Sequence, residues 1–294
     1  MTPESPRALP TRPLTIVILI SATFLVVEVA GGILSGSLAL LSDAGHMLTD
    51  VLALVLSLMA ARFAALPANH VKTYGYHRLE ILTALVNGSL LVFVAAILAF
   101  KAFRRFFAPV PIDSPIMLGV ALAGLAANIA GLWLLSGHEN LNIRGARMHI
   151  LGDALSSAGV VAAAIVIALT GWYRLDPVIA GVVAIVIAVG AVRLVREAVD
   201  VLLEATPAGL VIEEVRRAIA AVPGVLEVHD LHVWSITTGL PALSGHVRVD
   251  ERAATAPDET LGRIAAALKE RFGILHSTLQ LESPAFCERC DVGH

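Results

Sequence analysis

The chain has 294 residues, of which 57% are hydrophobic and 15% are charged, and its mean hydropathy is +0.80. Soluble domains carry about 25% charged residues, so this composition excludes a purely soluble protein. The net charge is −3 and no run of Lys or Arg occurs, which excludes a basic surface for nucleic acid. Residues 207–294 hold 20 of the charged residues and both cysteines, so we expect an apolar part up to residue 206 and an ordinary globular part after it.

Six apolar stretches follow one another in the first part of the chain, and each is long enough to cross a hydrocarbon core of about 30 Å. Their approximate limits are 14–35, 38–61, 79–100, 116–136, 148–170 and 177–195. The first is longer than the apolar run of a secretory signal, so we expect it to be retained. The sequence predicts an all-α, six-span membrane domain over residues 14–206, after an N-terminal cytoplasmic tail of residues 1–13.

Lys and Arg near the span ends predict the orientation, because cytoplasmic loops hold the excess of these residues. With the N-terminus inside, the inside segments carry nine, and the outside loops carry four: Lys101, Arg104, Arg105 and Arg174. We therefore expect both termini in the cytoplasm, although the cluster from Lys101 to Arg105 runs against the rule. The short loops are typical of a protein of the bacterial inner membrane.

Residues 207–294 show the patterns of a small α+β domain. Helix periodicity covers 210–222 and 258–272, and strand alternation covers 226–236, 242–249 and 275–281. The order αββαβ predicts a small open sheet with two helices on one face.

Two of the apolar stretches contain the same charged pattern, His-x-x-x-Asp, as His46 with Asp50 and His149 with Asp153. An ionised side chain at mid-bilayer costs at least about 2.5 to 3.5 kcal/mol, so these carboxylates need partners. Residues four apart share one helix face, so two such helices can form a tetrahedral site of two imidazoles and two carboxylates. That ligand set suits Zn2+, and the duplicated spacing favours a metal site over isolated polar contacts.

Asp43 shares the face of His46 and Asp50. Two interpretations of it remain open. It is a candidate to line the approach to the metal site or to relay protons, and it is equally explained as an acidic residue favoured near a helix N-terminus.

Four segments carry a resemblance to a known family, namely SLALLSDAGHMLTD, TYGYHRLEIL, ENLNIRGARMHILGDALSS and HDLHVWSITTG. The chain resembles the cation diffusion facilitators, a family of zinc-type metal exporters. The resemblance implies a homodimer, a ferredoxin-like cytoplasmic domain, and exchange of Zn2+ for protons by alternating access. It also implies that His46, Asp50, His149 and Asp153 are the transport ligands, with Cd2+ and Co2+ as further candidate ions; His46 in place of an Asp favours zinc.

The chain also departs from some relatives of that family. The histidine-rich loop that some of them carry between spans four and five is short here and holds only His138. A second metal site that some bacterial relatives have between spans two and three falls here on Asn69, Lys72 and Tyr76, so we expect the neighbouring histidines of that loop to be solvated.

A second group of metal-ligating residues lies in the C-terminal part, where half of the ten histidines occur. Strand alternation places His246 outward on the second strand, and His276 and Glu282 outward on the third. The tail with Cys287 and Cys290 can add thiolates. The full predicted set, for a structural or regulatory Zn2+, is His229, His246, His276, Glu282, Cys287 and Cys290. Surface histidines and an inert tail are the alternative.

The assignment of His229 rests on the resemblance and on the twist of strand ends. Strand alternation with Leu231 and Val233 in the core favours His232 on the ligand face instead. The two histidines are three residues apart and point to opposite faces of a regular strand.

Position alone suggests an ion pair between Arg78 and Glu204, at the cytoplasmic ends of the third and sixth spans, where relatives place a pair at the dimer interface.

Two rival functions also remain. A membrane metalloenzyme would need an open metal position and a general base, and a membrane-anchored metal sensor would leave the paired His-x-x-x-Asp motifs unexplained.

Overall fold

All six predicted apolar segments are helices. The structure, a computed structural model, describes residues 11–64, 66, 68–134 and 141–283. The helices are α1 (Thr11–Ser35), α2 (Leu38–Ala64), α3 (Arg78–Phe107), α4 (Ser114–Leu134), α5 (Leu141–Thr170) and α6 (Leu175–Leu202). Among the described residues, α3, α4, α6 and the Ile150–Thr170 part of α5 are long and apolar enough to cross a membrane. That α1 and α2 also cross it stays a prediction.

The remaining elements form a small α+β fold. They are α7 (Ile212–Ala220), β1 (Val225–Thr237), β2 (Leu240–Val249), α8 (Glu251–Thr255), α9 (Pro257–Phe272) and β3 (His276–Glu282). The strands lie in the order β1-β2-β3, with β1 antiparallel and β3 parallel to β2. The predicted order αββαβ is confirmed, with one addition. The short helix α8 has too few residues to show a helical period, and the Asp250 carboxylate caps it by accepting a hydrogen bond from the Ala253 amide.

The chain divides into two compact units. We call Met1–Met59 with Ala84–Val195 the membrane unit, and Ala60–Thr83 with Arg196–His294 the sheet unit. The loop before α3 and the end of α6 therefore belong with the sheet, whereas the sequence places the boundary at residue 206. The predicted domain limits stay a prediction.

Small residues let the helices of the membrane unit approach closely. A Cβ atom on Gly31 of α1 would lie 2.6 Å from a methyl carbon of Val120 on α4, and one on Gly88 of α3 would lie 2.9 Å from Val195 Cγ2 on α6. A buried cluster of alanines and larger aliphatic residues joins α2, α4 and α5. Such van der Waals packing contributes to helix association in lipid, and here residues of α2 and α5 share one buried cluster.

A buried carboxylate caps the first turn of α2. Asp176, at the start of α6, is fully buried and accepts hydrogen bonds from the Ser37 hydroxyl at 2.6 Å, the Leu38 amide at 2.8 Å and the Ala39 amide at 3.0 Å. These amides belong to the helix end that lacks internal acceptors, and the helix dipole favours a negative charge there. Arg105 lies 3.8 Å from the same carboxylate. The contact fixes the start of α2 against α6.

The core of the sheet unit lies between the sheet and two helices. Val215 and Ile219 of α7 and Ile264 and Leu268 of α9 are fully buried, and they pack with Leu243 and other apolar residues of the strands. The opposite face of the sheet is left for polar side chains.

Replacement of Asp176 by Ala is expected to destabilise the membrane unit. The change leaves buried backbone N–H groups without an acceptor, so we expect the free energy of unfolding to fall by about 1 to 3 kcal/mol. Thermal unfolding of the purified protein in detergent measures this. Asp113→Ala is the matched control, because Asp113 is exposed and caps α4 through the Ile116 amide; an equal loss in both variants would contradict the argument.

Candidate metal centres

Three of the four predicted transport ligands come together between α2 and α5. The His46 Nε2 atom lies 3.2 Å from Asp153 Oδ1 and 3.9 Å from Asp50 Oδ2. One ligand atom from each residue lies within 4.8 Å of the others. Ligand atoms of a tetrahedral zinc site are about 3.3 Å apart, since each lies about 2.0 Å from the ion, so these three need only small shifts to share one ion.

The fourth predicted ligand, His149, lies on α5 one helical turn before Asp153, but its side chain is outside the described residues. The backbone spacing puts both residues on one face of α5. Its place in the site stays a prediction.

The three described side chains are neither buried nor fully exposed. Their side-chain exposures are 31% for His46, 29% for Asp50 and 22% for Asp153. The described part of this site is therefore not sealed inside the helix bundle.

Asp43 is buried and joins α2 to α5 by a different contact. It accepts hydrogen bonds from the Ser156 hydroxyl at 2.7 Å and the Ser157 hydroxyl at 3.3 Å. Asn128 of α4 donates to the same Ser157 hydroxyl at 3.4 Å. The carboxylate thus belongs to a polar network beside the metal ligands, and its role as a proton relay stays a prediction.

A second cluster forms on the polar face of the sheet, from one residue of each strand. The His229 Nε2 atom lies 3.0 Å from Glu282 Oε2, and the His246 Nδ1 atom lies 2.7 Å from Glu282 Oε1. The two imidazole rings are 5.3 Å apart and steeply inclined to each other. Two imidazoles and a carboxylate are three ligands of the type that zinc prefers.

A β-bulge explains why His229 lies in this cluster. The register of β1 against β2 shifts between His229 and His232, and Asp230 has a φ of 47°. The extra residue breaks the strict alternation of the strand, so His229 lies directly opposite His246 although Leu231 and Val233 are buried as expected. His232 is exposed and pairs with Asp230 at 2.9 Å instead.

Glu282 is held as a buried carboxylate. Its residue is only 2% exposed, and Gln280 also donates to its Oε1 atom at 3.1 Å. Burial raises the pKa of this carboxyl, but the hydrogen bonds from His229 and His246 and their positive charge outweigh burial, so the pKa lies below its usual value. Glu282 is therefore ionised and ready to bind a cation at neutral pH.

The structure separates His276 from this cluster. His276 and Glu282 begin and end β3, so they are roughly 20 Å apart, because a strand rises about 3.3 Å per residue. The same alternation that puts both on one face thus does not bring them to one ion within a chain. The His276 Nε2 atom instead lies 3.5 Å from the Tyr74 hydroxyl of the loop before α3. Cys287 and Cys290 lie outside the described residues.

Two further contacts bear on the sequence expectations. Arg78 Nη2 lies 2.9 Å from Glu204 Oε1, so the ion pair suggested by position forms within one chain. Asp230, which the sequence analysis did not single out, lies 3.9 Å from His246 at the rim of the sheet cluster. Its position between two histidines was the only sequence signal for it.

Family models match both parts of the chain. The transmembrane domain of cation efflux proteins matches residues 14–203, and the cytoplasmic domain of cation efflux proteins matches residues 207–284. The chain belongs to the cation efflux family. The resemblance drawn from the four sequence segments is thereby confirmed.

Curated proteins of this family match over most of their length. A cadmium, cobalt and zinc/H(+)-K(+) antiporter of Bacillus subtilis is 39% identical over 89% of this chain and 86% of its own. The zinc transporter ZitB of Pectobacterium atrosepticum is 41% identical over 94% of this chain and 85% of its own. The metal-bound C-terminal domain of the CzcD transporter of Cupriavidus metallidurans is a solved structure with 38% identity that covers 25% of this chain and 99% of its own, with a TM-score of 0.24.

Membership in the cation efflux family decides between the rival functions. The chain is an integral, multi-pass membrane protein, and it is a transporter rather than an enzyme. A metal sensor without transport would not need the transmembrane domain that matches over residues 14–203.

The lowered pKa of Glu282 predicts how the stability of the sheet depends on pH. The ionised Glu282 carboxylate stabilises the folded sheet fully at pH values above the usual carboxyl pKa. This stabilisation is lost as the pH falls through the lowered pKa that Glu282 has in the folded protein. Hydrogen exchange of the β2 and β3 amides, corrected for intrinsic rates, should be measured from about pH 6 down to about pH 3. Over this range, we expect the greater protection of wild type relative to Glu282→Gln to disappear.

The control for that experiment is Glu227→Gln. Glu227 is on the same sheet, but it is exposed and pairs with Arg248. We expect little change in this variant. If the difference in amide protection between wild type and Glu282→Gln stayed the same across the pH range, Glu282 would not stabilise the sheet through its ionised form.

Proposed function

We propose that this chain exports divalent metal, chiefly Zn2+, in exchange for protons, through the site formed by His46, Asp50, His149 and Asp153. The observation that carries the proposal is the convergence of His46, Asp50 and Asp153 between two helices of the membrane unit. Carboxylates there need a cation or a proton, because an isolated negative charge in a membrane is costly.

The ligand types support zinc as the main substrate, with cadmium and cobalt as further substrates. Imidazole nitrogen and carboxylate oxygen are ligands that Zn2+ shares with neighbouring divalent metals, so geometry and exposure decide among them. The relatives named above are described as transporters of zinc, or of cadmium, cobalt and zinc.

Proton coupling follows from competition at the same atoms. A metal ion binds deprotonated imidazole and carboxylate, so its release is favoured when protons take its place. The His46 nitrogen already lies within hydrogen-bond distance of Asp153, so a proton between them satisfies the same pair that would bind the ion. Rocking of α2 and α5 with their neighbours would expose the site alternately to the two sides of the membrane.

The proposal includes the assembly and its placement. The match of residues 207–284 to a cytoplasmic domain supports a cytoplasmic C-terminus, and the excess of Lys and Arg in the inside segments supports a cytoplasmic N-terminus. We place the protein in a bacterial inner membrane, since the curated relatives named above come from bacteria. We propose that it is a homodimer, since the family model that matches residues 207–284 is that of a dimerisation domain.

Loss of either carboxylate at the membrane site is expected to abolish transport. In proteoliposomes with an imposed pH gradient, Asp50→Ala and Asp153→Ala should reduce zinc-driven proton flux to that of protein-free vesicles, because the remaining ligands hold the ion too weakly. Zinc, cadmium and cobalt should be compared, with and without K+.

Asp113→Ala is the control, because this exposed carboxylate lies outside the cluster. It should transport like wild type. Undiminished flux in either Asp50→Ala or Asp153→Ala would remove the proposed site.

We also propose that the sheet cluster of His229, His246 and Glu282 binds a structural or regulatory Zn2+. The full-length protein with His246→Ala and Glu282→Gln should bind one zinc ion fewer per chain in equilibrium dialysis, while transport at saturating zinc remains measurable. His232→Ala is the matched control, because this imidazole is exposed and pairs only with Asp230 among the described residues. Unchanged zinc stoichiometry in the double variant would contradict this assignment.

A further inference from the structure

A pocket in the membrane unit has an apolar wall and a basic rim. Its volume is about 650 Å³, and it lies between the start of α2 and the second half of α3. Leu38 and Leu41 form one side, and Phe93, Ile97 and Phe100 form the other. The three α3 side chains are 39–63% exposed, so they present apolar surface outside the helix bundle.

The rim of this pocket is built from Lys101, Arg104 and Arg105, in the last turns of α3. Lys101 and Arg104 are exposed, and among the described residues no carboxylate lies within ion-pairing distance of either. Arg104 lies over the ring of Phe100, which directs its charge toward the pocket wall. Two positive charges at a membrane interface are thus left for a ligand.

Arg105 is used differently from its neighbours. It donates to the Gly36 carbonyl and lies near Asp176, so it is part of the contact that caps α2. The amides at the start of α2 already bond to Asp176 and are not free for an anion. A ligand of the pocket must therefore be recognised by Lys101 and Arg104.

We propose that this pocket binds an anionic phospholipid. Its phosphate would lie against Lys101 and Arg104, and an acyl chain would lie along Phe93, Ile97 and Phe100. Basic pockets between membrane helices recognise anionic head groups in this way. A soluble anion would gain nothing from the apolar wall, whereas a lipid uses both parts of the pocket.

The same site accounts for the cluster that runs against the positive-inside rule. In the proposed orientation, α3 ends on the outer side of the membrane, where Lys and Arg are otherwise scarce. A bound lipid phosphate in the outer leaflet neutralises them. The lipid site itself does not depend on the transported ion.

The test is lipid retention by the purified full-length protein, measured by native mass spectrometry. Phosphatidylglycerol should be retained in preference to phosphatidylcholine with the same acyl chains. Removal of each charge, by Lys101→Gln and Arg104→Gln, should weaken phosphatidylglycerol binding roughly fivefold. Phosphatidylcholine binding should weaken less, because its choline cation already offsets the charge of its phosphate. Ala96→Trp, which adds a ring to the exposed pocket lining, should weaken binding of both lipids.

Arg174→Gln is the matched control, because Arg174 is exposed at the start of α6 and does not line the pocket. It should retain phosphatidylglycerol like wild type. Wild-type retention in the Lys101→Gln, Arg104→Gln double variant would overturn the proposal. Displacement of the lipid by an equal concentration of inorganic phosphate would also overturn it, since that result identifies a free-anion site.

Discussion

The cost of a charge in an apolar helix bundle governs the polar architecture of the membrane unit. For Asp176, hydrogen bonds from the amides at the start of α2 offset this cost. For Asp43, hydrogen bonds from two serine hydroxyls of α5 offset it. Asp50 and Asp153 lie around the His46 imidazole. The first two arrangements are satisfied by the protein itself, whereas the third consists of groups that protons and metal ions share. The third arrangement therefore suits the ion-binding role that we propose for it.

Much of this could be predicted from the sequence because it depends on short-range periodicity. Each apolar stretch falls on one helix and the αββαβ order agrees with the observed elements, although α3 and α6 continue about seven residues past the predicted limits and α5 begins about seven residues before them. His46 and Asp50 share a face because residues four apart do so in a helix. The cap from Asp176 to α2 could not be predicted. Its partners are 137 to 139 residues apart, and no local pattern encodes which helix end lies beside which carboxylate.

The sheet shows where strand alternation fails as a guide to a site. It places Leu231 and Val233 in the core correctly, yet it selects the wrong histidine for the cluster, because the bulge at Asp230 adds a residue that alternation cannot count. It also groups His276 with Glu282, although they lie at opposite ends of β3. Alternation gives the face of a residue, whereas a metal site also requires its position along the strand.

The two clusters differ in how firmly their carboxylates are held, and this difference supports the separate roles that we propose. Glu282 is buried and accepts a hydrogen bond from Gln280. It lies on β3, which pairs with β2 along its whole length. Asp50 and Asp153 are partly exposed, and Asp153 lies on α5 whereas His46 lies on α2, so a small movement between these helices changes the distance from Asp153 to His46. A site that must release its ion needs ligands that separate easily, and a site that must retain its ion needs a rigid frame. The same ligand chemistry can thus serve transport in the membrane unit and binding in the sheet.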